Sequence, residues 1–194
     1  ITPTSFRSGR YGFNKDVAKI LTDLKYLVDS SVTPYTSWTT HAGLPGGTGG
    51  VDFIDRNPFP YEYKFPHGSL IEIPITILPT RFPLTASARF TNYYFRNVNK
   101  SIPLRILRKS MLSQQPLWLR PHVWMNIELF EEIYKQATRI RMPFMVMMFH
   151  SSELLAGGSI YRRNEDAIEE LYELLEQFFI MLENFNVESV TLSK

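Results

Sequence analysis

The amino-acid sequence predicts one α/β domain in which most strands of the sheet run parallel. Helix-like and strand-like segments alternate along the chain, which is typical of folds with parallel sheets. The stretch from Pro143 to His150 is almost continuously apolar, which predicts a strand buried on both faces. The chain has 194 residues, 44% of them hydrophobic, and this length suits a single hydrophobic core. Residues 1–194 are therefore expected to form a single domain.

The first 60 residues predict a helix, a strand and a long loop. Apolar residues at helical spacing predict a helix that begins at Asn14 or Lys15. Tyr26 to Asp29 is predicted to be a strand, because small polar residues follow it. Residues 33–60 contain several prolines and a glycine-rich patch, and they predict a loop. The patch lacks the GxxxxGK[ST] pattern of phosphate-binding loops, so we interpret it as flexible connection.

The rest of the chain predicts further strands alternating with helices, on the same criteria of apolar spacing and capping residues. A proline inside the first of these strands, Pro74, marks an edge or a bulge. The expected strands are Leu70 to Leu78, Leu117 to Leu119, Pro143 to His150 and Ser189 to Ser193, and the expected helices are Ile102 to Leu112, Asn126 to Arg139 and a long one from Asn164.

Composition excludes several classes of function. The formal net charge is +2, from 21 basic and 19 acidic residues, so no strong field attracts nucleic acid. Cysteine is absent, which leaves His, Asp and Glu for metal or acid–base chemistry. No apolar run approaches the ~20 residues that span a bilayer, so no membrane span is expected. Because the chain starts at Ile1 rather than at a methionine, further residues are expected upstream.

Polar residues follow the predicted strands, where α/β folds bind their ligands. His150 can donate a proton to a leaving group, because imidazole titrates near neutrality; the alternative is a strand-end histidine bonded to backbone. Asp29 can orient His150 and keep it protonated, or it is a turn residue. Arg7 can pair with a carboxylate or a substrate oxyanion, or form a surface salt bridge.

Aromatic and histidine residues supply weaker candidates. Trp38 can stack on a sugar face because it lies in the long loop, although tryptophans more often pack in a core. The remaining histidines have no close metal-ligand spacing, so this chain alone is not expected to build a metal site. His41, in the glycine-rich loop, is the weak candidate for a ligand.

Three segments resemble, in order and spacing, the polysaccharide deacetylases of the fourth carbohydrate esterase family. They read TSFRSGRYG at residues 4–12, VDSSVTP at residues 28–34 and FHSSEL at residues 149–154. The resemblance implies a distorted (β/α)7 barrel, of which this chain is the C-terminal portion without the first βα units. The family's first two motifs, which supply the catalytic base and most metal ligands, are expected upstream of Ile1.

The resemblance also implies roles for individual residues. His150 would be the general acid, Asp29 its tuning partner, and Arg7 the residue that holds the base aspartate. The substrate groove would be lined by Tyr11, Trp38, Ser151 and Glu153. Tyr11 comes one residue late for the family pattern, Met147 replaces its leucine, and Trp38 lies far from Asp29 in sequence.

The function implied by the resemblance is hydrolysis of N-acetyl or O-acetyl groups on a cell-surface or cell-wall polysaccharide. The implied cofactor is a divalent metal ion, Zn²⁺ in most members, and the implied partner is the acetylated polysaccharide or oligosaccharide. The implied setting is the bacterial cytoplasm or cell envelope. The alternative is a non-catalytic carbohydrate-binding relative that has lost the metal site; a plain α/β structural domain is the third hypothesis.

Overall fold

The computed structural model describes residues 2–43, 45–79 and 116–192, together with 93, 94, 97, 101–104 and 106. Within these residues, short strands lie in the first two thirds and the two longest helices in the last third. The strands are β1 Ser5–Phe6, β2 Val28–Asp29, β3 Tyr61–Phe65, β4 Gly68–Glu72, β5 Ile77–Leu78 and β6 Leu117–Trp118; the helices are α1 Lys15–Asp23, α2 Ile127–Arg139 and α3 Glu165–Asn184; 3-10 turns span Gly9–Tyr11 and Ser151–Leu154.

The first four strands form one sheet in the order β1-β2-β4-β3. The pairs β1–β2 and β2–β4 are parallel, and β3–β4 is an antiparallel hairpin. Phe6 pairs with Asp29, and Asp29 pairs with Glu72, so three parallel strands end side by side. This pairing places the residues that follow β1, β2 and β4 at one edge of the sheet.

Three of the four predicted helices form as expected, and each of the three begins at a capping asparagine. The side chain of Asn14 accepts from the backbone N–H groups of Asp16 and Val17. Asn126 and Asn164 cap α2 and α3 in the same way. These caps are local, which is why the sequence predicts the starts of the helices correctly.

Two main apolar clusters stabilise the described part of the chain. One joins α1 to β4 and the long loop, through Phe13, Ala18, Leu21, Val32, Phe53 and Leu70. The other joins α2, α3 and the β5–β6 pair, through Leu78, Leu117, Leu119, Met125, Phe130, Ile133, Ala137, Phe178 and Met181.

The prediction of a strand from Pro143 to His150 is wrong. Its residues lack a regular ladder of backbone hydrogen bonds, although Val146 O accepts from Thr76 N and Met148 N donates to Leu119 O. Burial alternates from Met145 onward: Val146 and Met148 are buried, whereas Met145, Met147 and Phe149 between and beside them are half-buried. An apolar run alone does not decide how many neighbouring strands cover it. Here the second face of the segment is only half-buried.

Other predicted strands are shorter than expected. Only Val28–Asp29 of Tyr26 to Asp29 is a strand, and Leu70 to Leu78 splits around Pro74 into β4 and β5. Residues 189–192 are irregular, so the last strand is wrong there, and 193 lies outside the described residues. In the predicted helix from 102 to 112, residues 102–104 and 106 are helical, and the others lie outside the described residues.

The described sheets are the four-stranded one and the antiparallel β5–β6 pair, and these do not close into a barrel. The (β/α)7 barrel stays a prediction, since residues 80–92 and 107–115 lie outside the described chain. None of the helices in this part of the protein has the length and apolar character that crossing a membrane requires.

Candidate functional site

The ends of the three parallel strands bring Arg7, Asp29 and Glu72 together. Arg7 directly follows β1, Asp29 ends β2 and Glu72 ends β4. Asp29 and Glu72 are both 0% exposed. Two buried carboxyl groups beside an arginine form a charged centre within an otherwise apolar sheet.

The carboxylate of Asp29 is fixed by the residues that follow it. Its Oδ2 accepts from Ser31 N at 2.8 Å, and its Oδ1 accepts from Ser31 Oγ at 2.8 Å. Ser31 Oγ in turn accepts from Ser8 N at 2.7 Å, which ties the segment after β1 to the segment after β2. Ser31, in the second motif, therefore holds the Asp29 carboxylate and joins the ends of β1 and β2.

Glu72 has an unusual environment for an acid. Burial raises the pKa of Glu72 to about 10, and the neighbouring Asp29 carboxyl group acts in the same direction. Its Oε1 accepts from Val32 N at 3.1 Å. Its Oε2 is buried and accepts no hydrogen bond from the described part of the chain. Burial and the neighbouring Asp29 therefore disfavour the charged form of Glu72.

Arg7 spans the edge of this centre. Its Nε donates to Ser30 O at 3.0 Å, and a terminal nitrogen donates to Ser30 Oγ at 3.1 Å. Partial burial lowers the pKa of Arg7, while the Asp29 carboxylate acts to raise it. Arg7 as a residue is still exposed, so it places a cation at the surface beside the buried carboxyl groups.

An aromatic cluster lies next to the charged centre. The Tyr11 ring stacks on Trp38 with centroids 5.1 Å apart. Trp118 packs edge-on against both, at 6.2 Å from Tyr11 and 6.3 Å from Trp38. Trp38 Nε1 donates to Thr33 Oγ1 at 2.9 Å, which fixes the orientation of the indole. All three rings are half-buried, as a surface for stacking a sugar ring requires.

The glycine-rich patch shapes the loop that carries Trp38. Gly50 N donates to Trp38 O at 2.9 Å, so the loop folds back on itself. Gly49 has φ +91°, and a Cβ at this position would overlap the backbone of Thr39. Glycine is required here because only a residue without a side chain allows the two backbone segments to approach so closely.

The third motif forms a 3-10 turn that begins after His150. The buried Glu153 Oε1 accepts from His150 N at 3.0 Å and from an Arg120 terminal nitrogen at 2.8 Å. Arg120 also lies 5.3 Å from the Tyr161 ring centroid. His150 and Ser151 are exposed. Glu153 therefore fixes the turn, while the imidazole of His150 faces solvent.

Tyr11 lies between the residues that follow β1 and the segment that leads to His150. Burial raises the pKa of Tyr11, and the charges of Arg120 and Arg7 oppose this shift while Glu153 adds to it. Its hydroxyl donates to Met148 Sδ at 3.5 Å, within the segment that leads to His150. The residues from the first and third motifs therefore lie in one region.

The structure brings together two pairs of the predicted site residues and leaves a third pair without a hydrogen bond. Arg7 and Asp29 lie together, and so do Tyr11 and Trp38. Asp29 and His150 are not hydrogen-bonded: the carboxylate binds Ser31, and the described hydrogen bond of His150 N goes to Glu153.

Sequence reasoning missed Glu72, Arg120 and the place of Trp118. Glu72 carries a signal that could have found it, since it is a carboxylate inside an otherwise apolar strand. The sequence also contains a signal for the hairpin partner β3, because aromatic and charged residues alternate in YEYKF at residues 61–65. Arg120 follows a strand in the way that Asp29 does, but its pairing with Glu153 spans 33 residues and has no local signal.

A metal ion does not fit the described residues by themselves. They contain no group of three His, Asp or Glu side chains that could hold one. Both oxygens of Asp29 accept hydrogen bonds from Ser31, and burial disfavours the charged form of Glu72. His41 lies exposed against Trp38, with ring centroids 5.3 Å apart. The described residues alone therefore supply no donor set for a metal ion.

Comparisons with models of protein families, with curated proteins and with solved structures find no match to this chain. The resemblance to polysaccharide deacetylases therefore depends on the three motifs and on how their residues are arranged.

Proposed function

We propose that this chain forms part of a hydrolase that removes acetyl groups from a polysaccharide. One observation carries the proposal: three motifs that are distant in sequence supply one contiguous region. Pairing of β1 with β2 joins Arg7 to Asp29, and Tyr11 lies within the fields of both Arg7 and Glu153. A charged centre beside half-buried aromatic rings suits a sugar polymer with a polar reacting group.

In this proposal each part of the site has a separate task. Tyr11, Trp38 and Trp118 hold pyranose rings by stacking. His150 donates a proton to the departing amine or alcohol, because its imidazole is exposed at the start of the turn. Arg7 and Asp29 fix the strand ends around the reacting group. The resemblance also implies Zn²⁺, for which the described residues offer no donor set.

The first prediction concerns His150. The His150→Ala variant of the full-length protein is expected to lose at least ~100-fold in acetate release from N-acetylglucosamine oligomers, because general acid catalysis typically contributes that much. The matched control is His67→Ala, which removes an exposed histidine in the turn between β3 and β4. Equal turnover in the His150 variant and the wild type would contradict the assigned role.

A second candidate is a non-catalytic carbohydrate-binding protein. It is favoured by the combination of an aromatic cluster with the lack of a metal-binding group among the described residues. Titration with the same oligomers separates the two hypotheses. The deacetylase proposal predicts that His150→Ala still binds them; wild-type binding without any acetate release, lost in Trp38→Ala, would instead indicate the binding protein.

A further inference from the structure

Asp29 and Glu72 are two acids whose carboxyl groups are completely buried on adjacent strands. They are Cα partners in the parallel pair β2–β4, and each is 0% exposed. Asp29 is satisfied as a carboxylate, since both its oxygens accept from Ser31. Glu72 is not, because Oε1 accepts from Val32 N while the buried Oε2 finds no donor in the described residues. Two adjacent carboxylates without water would repel each other strongly.

We propose that Glu72 is a positioning residue that keeps its proton at neutral pH and donates a hydrogen bond through Oε2 to Asp29. The proton satisfies the otherwise unpaired Oε2 and removes the repulsion. The pair then carries a single negative charge, on Asp29, which is balanced by Arg7. This inference rests on the proposed function for its catalytic consequence, because Asp29 and Arg7 are site residues there.

The groups that face Glu72 from neighbouring elements agree with this arrangement. They are Asp29 on β2, Arg7 after β1 and Tyr61, its Cα partner on β3. Burial raises the pKa of Tyr61 above its ordinary value, with the hydrogen bond to Tyr63 adding to it, so Tyr61 is neutral. Arg7 is thus the cation that acts on both acids, and one positive charge matches one negative charge.

Measurement of unfolding as a function of pH tests whether Glu72 keeps its proton in the folded protein. An unfolded Glu72 releases its proton near its ordinary pKa of 4.5, whereas the folded pair holds it to much higher pH. Between about pH 5.5 and about pH 7.5, the unfolding equilibrium constant of the wild type is expected to rise about tenfold per pH unit relative to Glu72→Gln. Glutamine supplies the same donor and acceptor but has no proton to lose. Parallel pH curves for both proteins would overturn the proposal.

The control is Glu188→Gln, which makes the same change at an exposed position and should keep the wild-type slope. A second measurement does not depend on the folding of the Glu72 variant. The infrared spectrum of the wild type at pH 7 is expected to contain the carbonyl band of a buried protonated carboxyl group. Its absence from the folded wild type would overturn the proposal.

Activity separates this inference from the proposed function. Turnover in Glu72→Gln is expected to exceed turnover in Glu72→Ala by about tenfold, since the amide can still hold Asp29 in place. Equal losses in the two variants would contradict a positioning role. If the wild type releases no acetate but has the steep pH slope, the proposed function fails and the shared proton stands.

Discussion

At the scale of single residues, Glu153 is the acid on which the geometry of the third motif depends. It is 1% exposed and accepts hydrogen bonds from both Arg120 and the backbone of His150. A buried charge pair contributes little over two apolar residues, but removal of one partner leaves the other charge uncompensated. Glu153 therefore connects the strand end at Arg120 to the residue that we propose as the general acid.

The Glu153→Ala variant is expected to lose about 3 kcal/mol of unfolding free energy, because Arg120 stays largely buried without a counter-charge. Urea unfolding measures this loss. Glu131→Ala removes the partner of Lys135 in a much more exposed pair, and its expected change is about 0.5 kcal/mol or less. Similar losses in the two variants would show that the Arg120–Glu153 pair is not a buried one.

At the scale of elements, the loop between β2 and β3 depends on glycine for a steric reason. Gly49 has a positive φ and lies directly against the backbone of Thr39, next to Trp38. Gly46 also has a positive φ, of +81°, but no atom lies within 4 Å of its Cβ position. Both positions therefore require a positive φ, but only at Gly49 does another backbone segment lie against the position of a Cβ atom.

Substitution by alanine separates these two effects. Gly46→Ala is expected to lose about 1 kcal/mol from backbone strain alone. Gly49→Ala is expected to lose more and also to shift tryptophan fluorescence and near-ultraviolet circular dichroism, because the loop must open beside Trp38. Unchanged spectra of Gly49→Ala would mean that the loop does not hold Trp38 in the aromatic cluster.

At the scale of the whole molecule, the helices α2 and α3 complete the core behind the site. Phe130 of α2 is 0% exposed and lies 4.7 Å from the ring centroid of Phe178 on α3. The same cluster contains Leu117 and Leu119, which flank Trp118. The aromatic cluster therefore depends on packing between elements that are far apart in sequence.

Phe130→Ala is expected to cost about 3–5 kcal/mol in unfolding free energy, the typical range for a buried phenylalanine. The matched control is Phe179→Ala, since Phe179 is adjacent to Phe178 but 58% exposed. Thermal unfolding of both variants measures the difference. Equal midpoints for the two variants would contradict the contact between α2 and α3.

The sequence by itself determined what depends on neighbouring residues in the chain. Asn14, Asn126 and Asn164 cap their helices through residues two or three positions away, so the starts of the helices could be predicted. The motif residues were found for the same reason, because Arg7, Asp29 and His150 lie within short recognisable segments.

The tertiary structure alone decided how those segments meet. Strands of two residues have too little pattern to predict their pairing, and burial of the run after Pro143 depends on which neighbours cover it. Glu72 lies beside Asp29 only because β2 and β4 pair in parallel, 43 residues apart. The raised pKa of Glu72 follows from that burial, because the atoms that exclude water from the carboxyl group come from the whole fold and not from the local sequence.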